Sequence, residues 1–160
     1  MIQVEVAGIR LELPSNQPVL ILRDPQTNRY LPLWIGASEA TAISIALEGV
    51  NAPRPLTHDL MVALIGHLGE TIEHVTVTEL ADGVFHATIS LRDHDPISAR
   101  PSDAVALAVR CGVPVYVAPD VMDTAGLEGA DSDADGQGQD EQEEVERFRA
   151  FLDEINPEDF

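Results

Sequence analysis

From Gly129 to Gln142 the chain uses only Gly, Ala, Ser, Asp, Gln and Glu. A stretch without large apolar side chains cannot bury enough surface to offset the entropy of ordering it. The core must therefore come from what precedes, and residues 127–142 read as an acidic disordered linker. Residues 1–126 are long enough for one domain with one hydrophobic core. Beyond the linker, Val145, Phe148, Phe151, Leu152 and Ile155 fall near one face of a helical wheel. Residues 143–160 are thus expected to form a C-terminal amphipathic helix and tail. Such a helix is marginal alone and is expected to dock on the domain or on a partner.

Charge sharpens the division. Residues 1–120 hold fourteen acids against seven arginines, and residues 121–160 hold fourteen against two, completing a net charge of −19. All nine basic residues are arginine. Such acidity argues against gripping long duplex nucleic acid by counterion release, which wants a basic face. A small site built from a few arginines remains open, because the planar guanidinium suits phosphate. The acidic tail suits a basic protein partner. No run approaches the roughly 18 apolar residues of a membrane span, and the N-terminus lacks the pattern of a signal peptide. The one cysteine, Cys111, lies in an apolar run and reads as a small buried hydrophobe. A reducing cytoplasm and no membrane partner are the expectations.

The hydropathy pattern points to an α+β fold, with a mixed or antiparallel sheet and about three helices packed on it. Val4, Val6, Ile9, Leu11 and Leu13 belong to strand-like stretches broken at Gly8, and Val19 to Leu22 is a short apolar run. Asp24 to Asn28 carries turn chemistry, and the strand resumes from Tyr30 to Ile35. Val75 and Val77, an Asp82-Gly83 turn, then Phe85, Ala87, Ile89 and Leu91 predict a hairpin. Val113 to Val117 reads as a last strand. Helices are expected from about 39 to 49, from 57 to 68 and after Ser102, capped by Ser38, Thr57 and Ser102. Leu60, Leu64 and Leu68 give the second helix its apolar repeat at i, i+4 and i+8. The third, around Ala104 to Val109, is apolar on nearly every side, which predicts burial in the core or against a second copy, hence a homo-oligomer.

Two segments repeat an arrangement: Arg54-Pro55-Leu56-Thr57-His58-Asp59 and Arg100-Pro101-Ser102-Asp103. Each sets an arginine, a proline, a hydroxyl and an acid at a helix start. Two readings stand. In the structural one, the acids favour the helix dipole and pair with the arginines. In the chemical one, Glu39, Asp59 and Asp103 ligate a divalent cation such as Mg or Mn through oxygen. Arg54 and Arg100 would then hold phosphate, and His58, Asp59 and Asp103 would do the catalytic work, with His58 handling a proton. Trp34 in its apolar strand reads as core, and no histidine shares a zinc-like spacing with Cys111.

Leu31-Pro32-Leu33-Trp34-Ile35-Gly36, Glu39-Ala40, the two arginine-proline segments, Asp82-Gly83-Val84-Phe85-His86-Ala87 and Ala104 to Ala108 resemble the bifunctional nuclease domain. The likeness covers roughly residues 2–125 in the family's order. It implies a mixed α+β fold, oligomeric assembly and, from some plant members, cleavage of both DNA and RNA. It makes Glu39, Arg54, His58, Asp59, Arg100 and Asp103 the matching candidate positions. The family usually has an aspartate two residues before the second arginine-proline pair; here that position is Ser98. The function expected is hydrolysis of phosphodiester bonds in accessible or single-stranded DNA and RNA. The alternative is a non-enzymatic oligomeric interaction or regulatory module whose arginine-proline segments are structural.

Overall fold

Alternating and β-branched residues build one mixed sheet, described by a computed structural model over residues 1–129. In chain order the elements are β1 (Ile2–Glu12), β2 (Gln17–Arg23), β3 (Arg29–Trp34), α1 (Ala37–Leu47), α2 (Thr57–His67), β4 (Ile72–Ala81) and β5 (Val84–Leu91). There follow β6 (Ile97–Ala99), α3 (Pro101–Cys111), β7 (Val115–Val117), α4 (Pro119–Ala125) and β8 (Leu127–Glu128). The strands lie in the order β6-β5-β4-β7-β1-β2-β3-β8. Only β4 and β7 run parallel; the other pairs are antiparallel. The expected linker and C-terminal helix lie outside the described residues, apart from 127–129.

Strand β1 joins the two halves of the sheet. Its first residues pair with β7 and its later ones with β2, with a register shift between Val6 and Gly8. Gly8 has φ of 144°, a conformation side-chain-bearing residues rarely adopt. The β4–β5 hairpin turns at Asp82-Gly83, where φ is 52° and 76°, as expected for the tight turn whose twist matches the strands.

Helix α3 is the hub. It packs against α1 and α2 on its sides and against β4 and β5 beneath. Residues Pro101, Ser102 and Ala104 to Ala108 are all buried. Three of these seven, Ala104, Ala106 and Ala108, are alanines, which lets the neighbouring helices and the sheet approach closely. Its nearly complete apolar surround is therefore satisfied within one copy and gives no reason to invoke a second.

Three expectations are corrected. Leu60, Leu64 and Leu68 are not the core face of α2: they are 51%, 56% and 80% exposed. The inward face is His58, Val62 and Ile65, which meet α3 and the core. The hydroxyls do not cap their helices. The N-caps are Gly36, Leu56 and Arg100, so Ser38 and Ser102 are second helical residues and Thr57 the first. Pro101 explains the last case, since a proline pre-set for helical φ and lacking an N–H belongs at the first position. The chain also remains in the sheet past residue 126: β8 pairs with β3 through Tyr30 and Arg29, and α4 and β6 are additional short elements.

Candidate active site at three helix starts

Renumbered from their true caps, Glu39, Asp59 and Asp103 all occupy the third helical position. The fold then treats them differently. Arg100, at the N-cap of α3, reaches Asp103 Oδ2 with Nε at 2.8 Å and Glu39 Oε1 with Nη2 at 2.8 Å. Asp103 offers its other oxygen to His58 Nε2 at 3.0 Å. Glu39, Arg100, Asp103 and His58 thus form one continuous chain drawn from the starts of α1, α3 and α2. Side-chain exposure falls from 66% at Arg100 through 26% at Asp103 to 9% at His58, so the chain runs from the surface inward. Both acids raise the affinity of the Arg100 guanidinium for its proton, Asp103 most through its hydrogen bond and Glu39 next.

Gly36 makes room for this. A Cβ there would collide with the Glu39 carboxylate, which folds back over the start of α1. Gly36→Ala should therefore displace Glu39 and loosen Arg100. The check is a crystal structure of the variant, in which the Glu39–Arg100 contact should be lost while Asp103–His58 persists.

Asp59 belongs to a separate joint. Its Oδ2 accepts the Leu56 backbone N–H at 2.9 Å and its Oδ1 accepts Arg110 Nε at 2.7 Å. Arg110 also donates to the carbonyls of Ala106 and Ala42, at 3.0 and 3.1 Å, so one guanidinium ties α2, α3 and α1 together. Its side chain is only 8% exposed. Sequence reasoning missed Arg110; the available signal was a lone cation closing an apolar helix. Asp59 is held below the ordinary carboxylate range, first by the Leu56 N–H and then by Arg110. Its contribution is complete above the unfolded-state value of about 4 and fades as pH falls through the lower folded value. Thermal melts taken downward from pH 5 should show wild type losing stability more steeply than Asp59→Asn, which has no such proton to bind.

Arg54 stands apart. Pro55 precedes the N-cap of α2, whereas Pro101 follows that of α3, so the two arginine-proline segments are not superposable. Arg54 is exposed, and among the described residues no acid pairs with it. Ser98 is exposed on β6. Trp34 is half-buried and donates its Nε1 hydrogen to Glu12 at 2.8 Å. His86 is exposed, His74 lies edge-on to Tyr116, and His94 pairs with Glu70, all outside the chain of four. Burial raises the Cys111 thiol above its usual range, as befits a packing residue.

A divalent ion needs several oxygen ligands turned to one point. Among the described residues no group of three His, Cys, Asp or Glu side chains is placed to hold a metal ion. Glu39 and Asp103 share Arg100 between them, and Asp59 faces Arg110. As arranged, the three acids do not fit a common cation.

The fold is an α+β domain in which three helix starts bring Glu39, Arg100, Asp103 and His58 into contact. Residues 20–129 match the bifunctional nuclease domain, and the chain belongs to that family. It is 48% identical over 159 residues to an uncharacterized protein of Mycobacterium tuberculosis, a match covering 99% of this chain and 97% of that one. Bifunctional nuclease 1 of Oryza sativa subsp. indica is 25% identical over 118 residues, 70% of this chain and 35% of the rice protein. Bifunctional nuclease 2 of Arabidopsis thaliana is 25% identical over 129 residues, 75% of this chain and 39% of that protein. The chain therefore spans little more than a third of these plant relatives. No helix among the described residues is long and apolar enough to cross a membrane.

Proposed function

We propose that this chain is a nuclease that hydrolyses phosphodiester bonds of DNA and RNA in single-stranded or otherwise accessible regions. The observation that carries the reading is the convergence of three helix N-termini on Arg100, Asp103 and His58. Helix starts present unsatisfied N–H groups and positive dipole ends, so this is ground that favours an anion. Arg100, exposed and held by two carboxylates, is placed to exchange one of them for a phosphate. Asp103 fixes the His58 ring through Nε2. Among the described residues Nδ1 has no hydrogen-bond partner, and the His58 side chain is 9% exposed.

Water attacks phosphorus as Nδ1 of His58 takes its proton; the new P–O bond forms as the bond to the departing sugar oxygen breaks. That oxygen collects a proton from His58 or from water. Arg100 balances the charge that gathers on the phosphoryl oxygens. Arg54, on the loop that leads into α2, is a second cation for the strand.

One observation favours a non-enzymatic reading: Glu39, Arg100, Asp103 and His58 already satisfy one another, as an architectural joint would. The test is cleavage of labelled single-stranded DNA and RNA by the purified protein, with magnesium, manganese or a chelator. Arg100→Met runs beside it and should lower cleavage about 10²-fold, the cost typical of losing a charge-stabilising donor. Cleavage that survives the chelator would assign the chemistry to the side chains, whereas strict metal dependence would require the acids to rearrange. No cleavage under any condition would favour the interaction module.

A further inference from the structure

Once His58, Val62 and Ile65 are turned inward, α2 presents an outer face that nothing among the described residues covers. Leu56, Leu60, Met61, Leu64 and Leu68 are 37%, 51%, 39%, 56% and 80% exposed. Leu56, Leu60, Leu64 and Leu68 are spaced by four, so they form one ridge about 18 Å long. A contiguous apolar patch of this kind marks an interaction site. Other exposed apolar side chains, such as Val84 and Ile97, stand singly on separate strands. Just before the ridge lies Arg54, exposed and paired with no acid among the described residues.

We infer that this face is the docking site of the chain's own residues 143–160, which lie along α2 and bring their acidic end to Arg54. Pattern supports the choice. Val145, Phe148, Phe151, Leu152 and Ile155 follow the three- and four-residue spacing of a helical apolar face. Read as a helix, that face is about 15 Å long, close to the length of the ridge. Its two phenylalanines supply bulk for the ground beside the ridge at Gly66, where a Cβ would meet nothing within 4 Å. Reach is ample. Gly129 is fixed at the edge of the sheet, donating its N–H to the carbonyl of Asn28 at 3.0 Å. The chain from there to Val145 can span up to about 50 Å, and a domain of this size is only about 35 Å across.

Charge gives the direction. Residues 143–149 hold three acids against two arginines, whereas 153–159 hold four acids and no base. The exposed residues of α2 include no acid, and Arg54 lies at the same end as the positive pole of the helix. The acid-rich end of the segment therefore lies at the start of α2, and the two helices run antiparallel. Elsewhere the domain repels an acidic segment, since residues 1–120 hold fourteen acids against seven arginines. The docked segment also occupies Arg54, the second cation that the nuclease reading gives to the strand. Resting on that reading, it competes with nucleic acid and restrains the site until displaced.

The experiment is double electron–electron resonance on the full chain, spin-labelled in a Cys111→Ser background and diluted into unlabelled protein. Thr57→Cys/Asn156→Cys should give a short label-to-label distance and Thr57→Cys/Glu144→Cys a longer one. Both should persist on dilution, because both labels belong to one molecule. Phe148→Ser/Phe151→Ser, whose changes lie outside the core described above, should lose the short distance. Hydrogen exchange reads the same contact without labels: α2 amides should exchange several-fold faster in that variant than in wild type. A short distance that vanishes on dilution, the reverse order of the two distances, or equal exchange rates would overturn the inference. The competition is read by binding of labelled single-stranded DNA, which Phe148→Ser/Phe151→Ser should hold several-fold more tightly than wild type. Adding Arg54→Ala to both proteins should abolish the difference. Equal affinities with the distances as expected would overturn the competition. No binding by either protein would overturn the nuclease reading, and the competition with it, while the docking stands.

Discussion

Asp103→Asn is expected to slow phosphodiester cleavage by about 10²–10⁴-fold, the range spanned by positioned acid–base groups. The reason lies in which proton sits where. A carboxylate at 3.0 Å from His58 Nε2 accepts a hydrogen there and so leaves Nδ1 with the lone pair that takes a proton from water. An amide can turn its NH₂ toward Nε2, which places the ring hydrogen on Nδ1 and removes the base. The shape of the side chain is kept, so folding should survive, and Arg100 retains Glu39 as a partner. His58→Ala should lose a comparable factor, and the double variant little more than either alone, because the two act as a unit. The measurement is single-turnover cleavage of labelled RNA and DNA by wild type and the three variants, purified identically. Equal activity in all four preparations would mean that this pair is not the base, or that the cutting comes from a contaminant.

The elements were legible where local chemistry decides them. The Asp82-Gly83 turn, the apolar run of β2 and the all-apolar α3 were each visible in the sequence because backbone conformation and burial there depend on a few adjacent residues. Helix phase was not. The four-residue leucine spacing in α2 describes an apolar face equally well whether it points in or out, and what decides is the pair His58 and Asp59, whose partners lie on α3. Cap positions failed for a related reason: a hydroxyl before an acid looks like a cap, but Pro101 and the backbone entry at Gly36 shift each start upstream.

The site was half visible. Glu39, His58, Arg100 and Asp103 carry side-chain types that single them out, and the fold brings all four together. Their division of labour came from tertiary contacts 45 to 61 residues apart in sequence, which spacing does not encode. The same limit made the two arginine-proline segments look equivalent. One proline enters its helix and the other stops before it, so Arg100 falls on Asp103 while Arg54 stays exposed.

Asp59→Ala should be the most destabilising substitution among the candidate residues, by about 2–3 kcal/mol, since it leaves Arg110 buried without its countercharge. The full cost of an orphaned ion is not expected, because Asp59 is 39% exposed and Arg110 keeps two carbonyl acceptors. About 1 kcal/mol of the loss is the cap on the Leu56 N–H. Arg110→Met should cost less, within about 1 kcal/mol: an unbranched apolar chain fills the space among three helices, and Asp59 still caps α2 in water. On that background Asp59→Ala should cost only the cap, so the coupling between the two residues is about 1–2 kcal/mol. Urea denaturation of the four proteins measures it. The decisive comparison is with cleavage: Asp59→Ala should melt roughly 10 °C lower yet cut at nearly the wild-type rate below its transition. A folded Asp59→Ala protein without activity would move Asp59 out of the joint and into the chemistry.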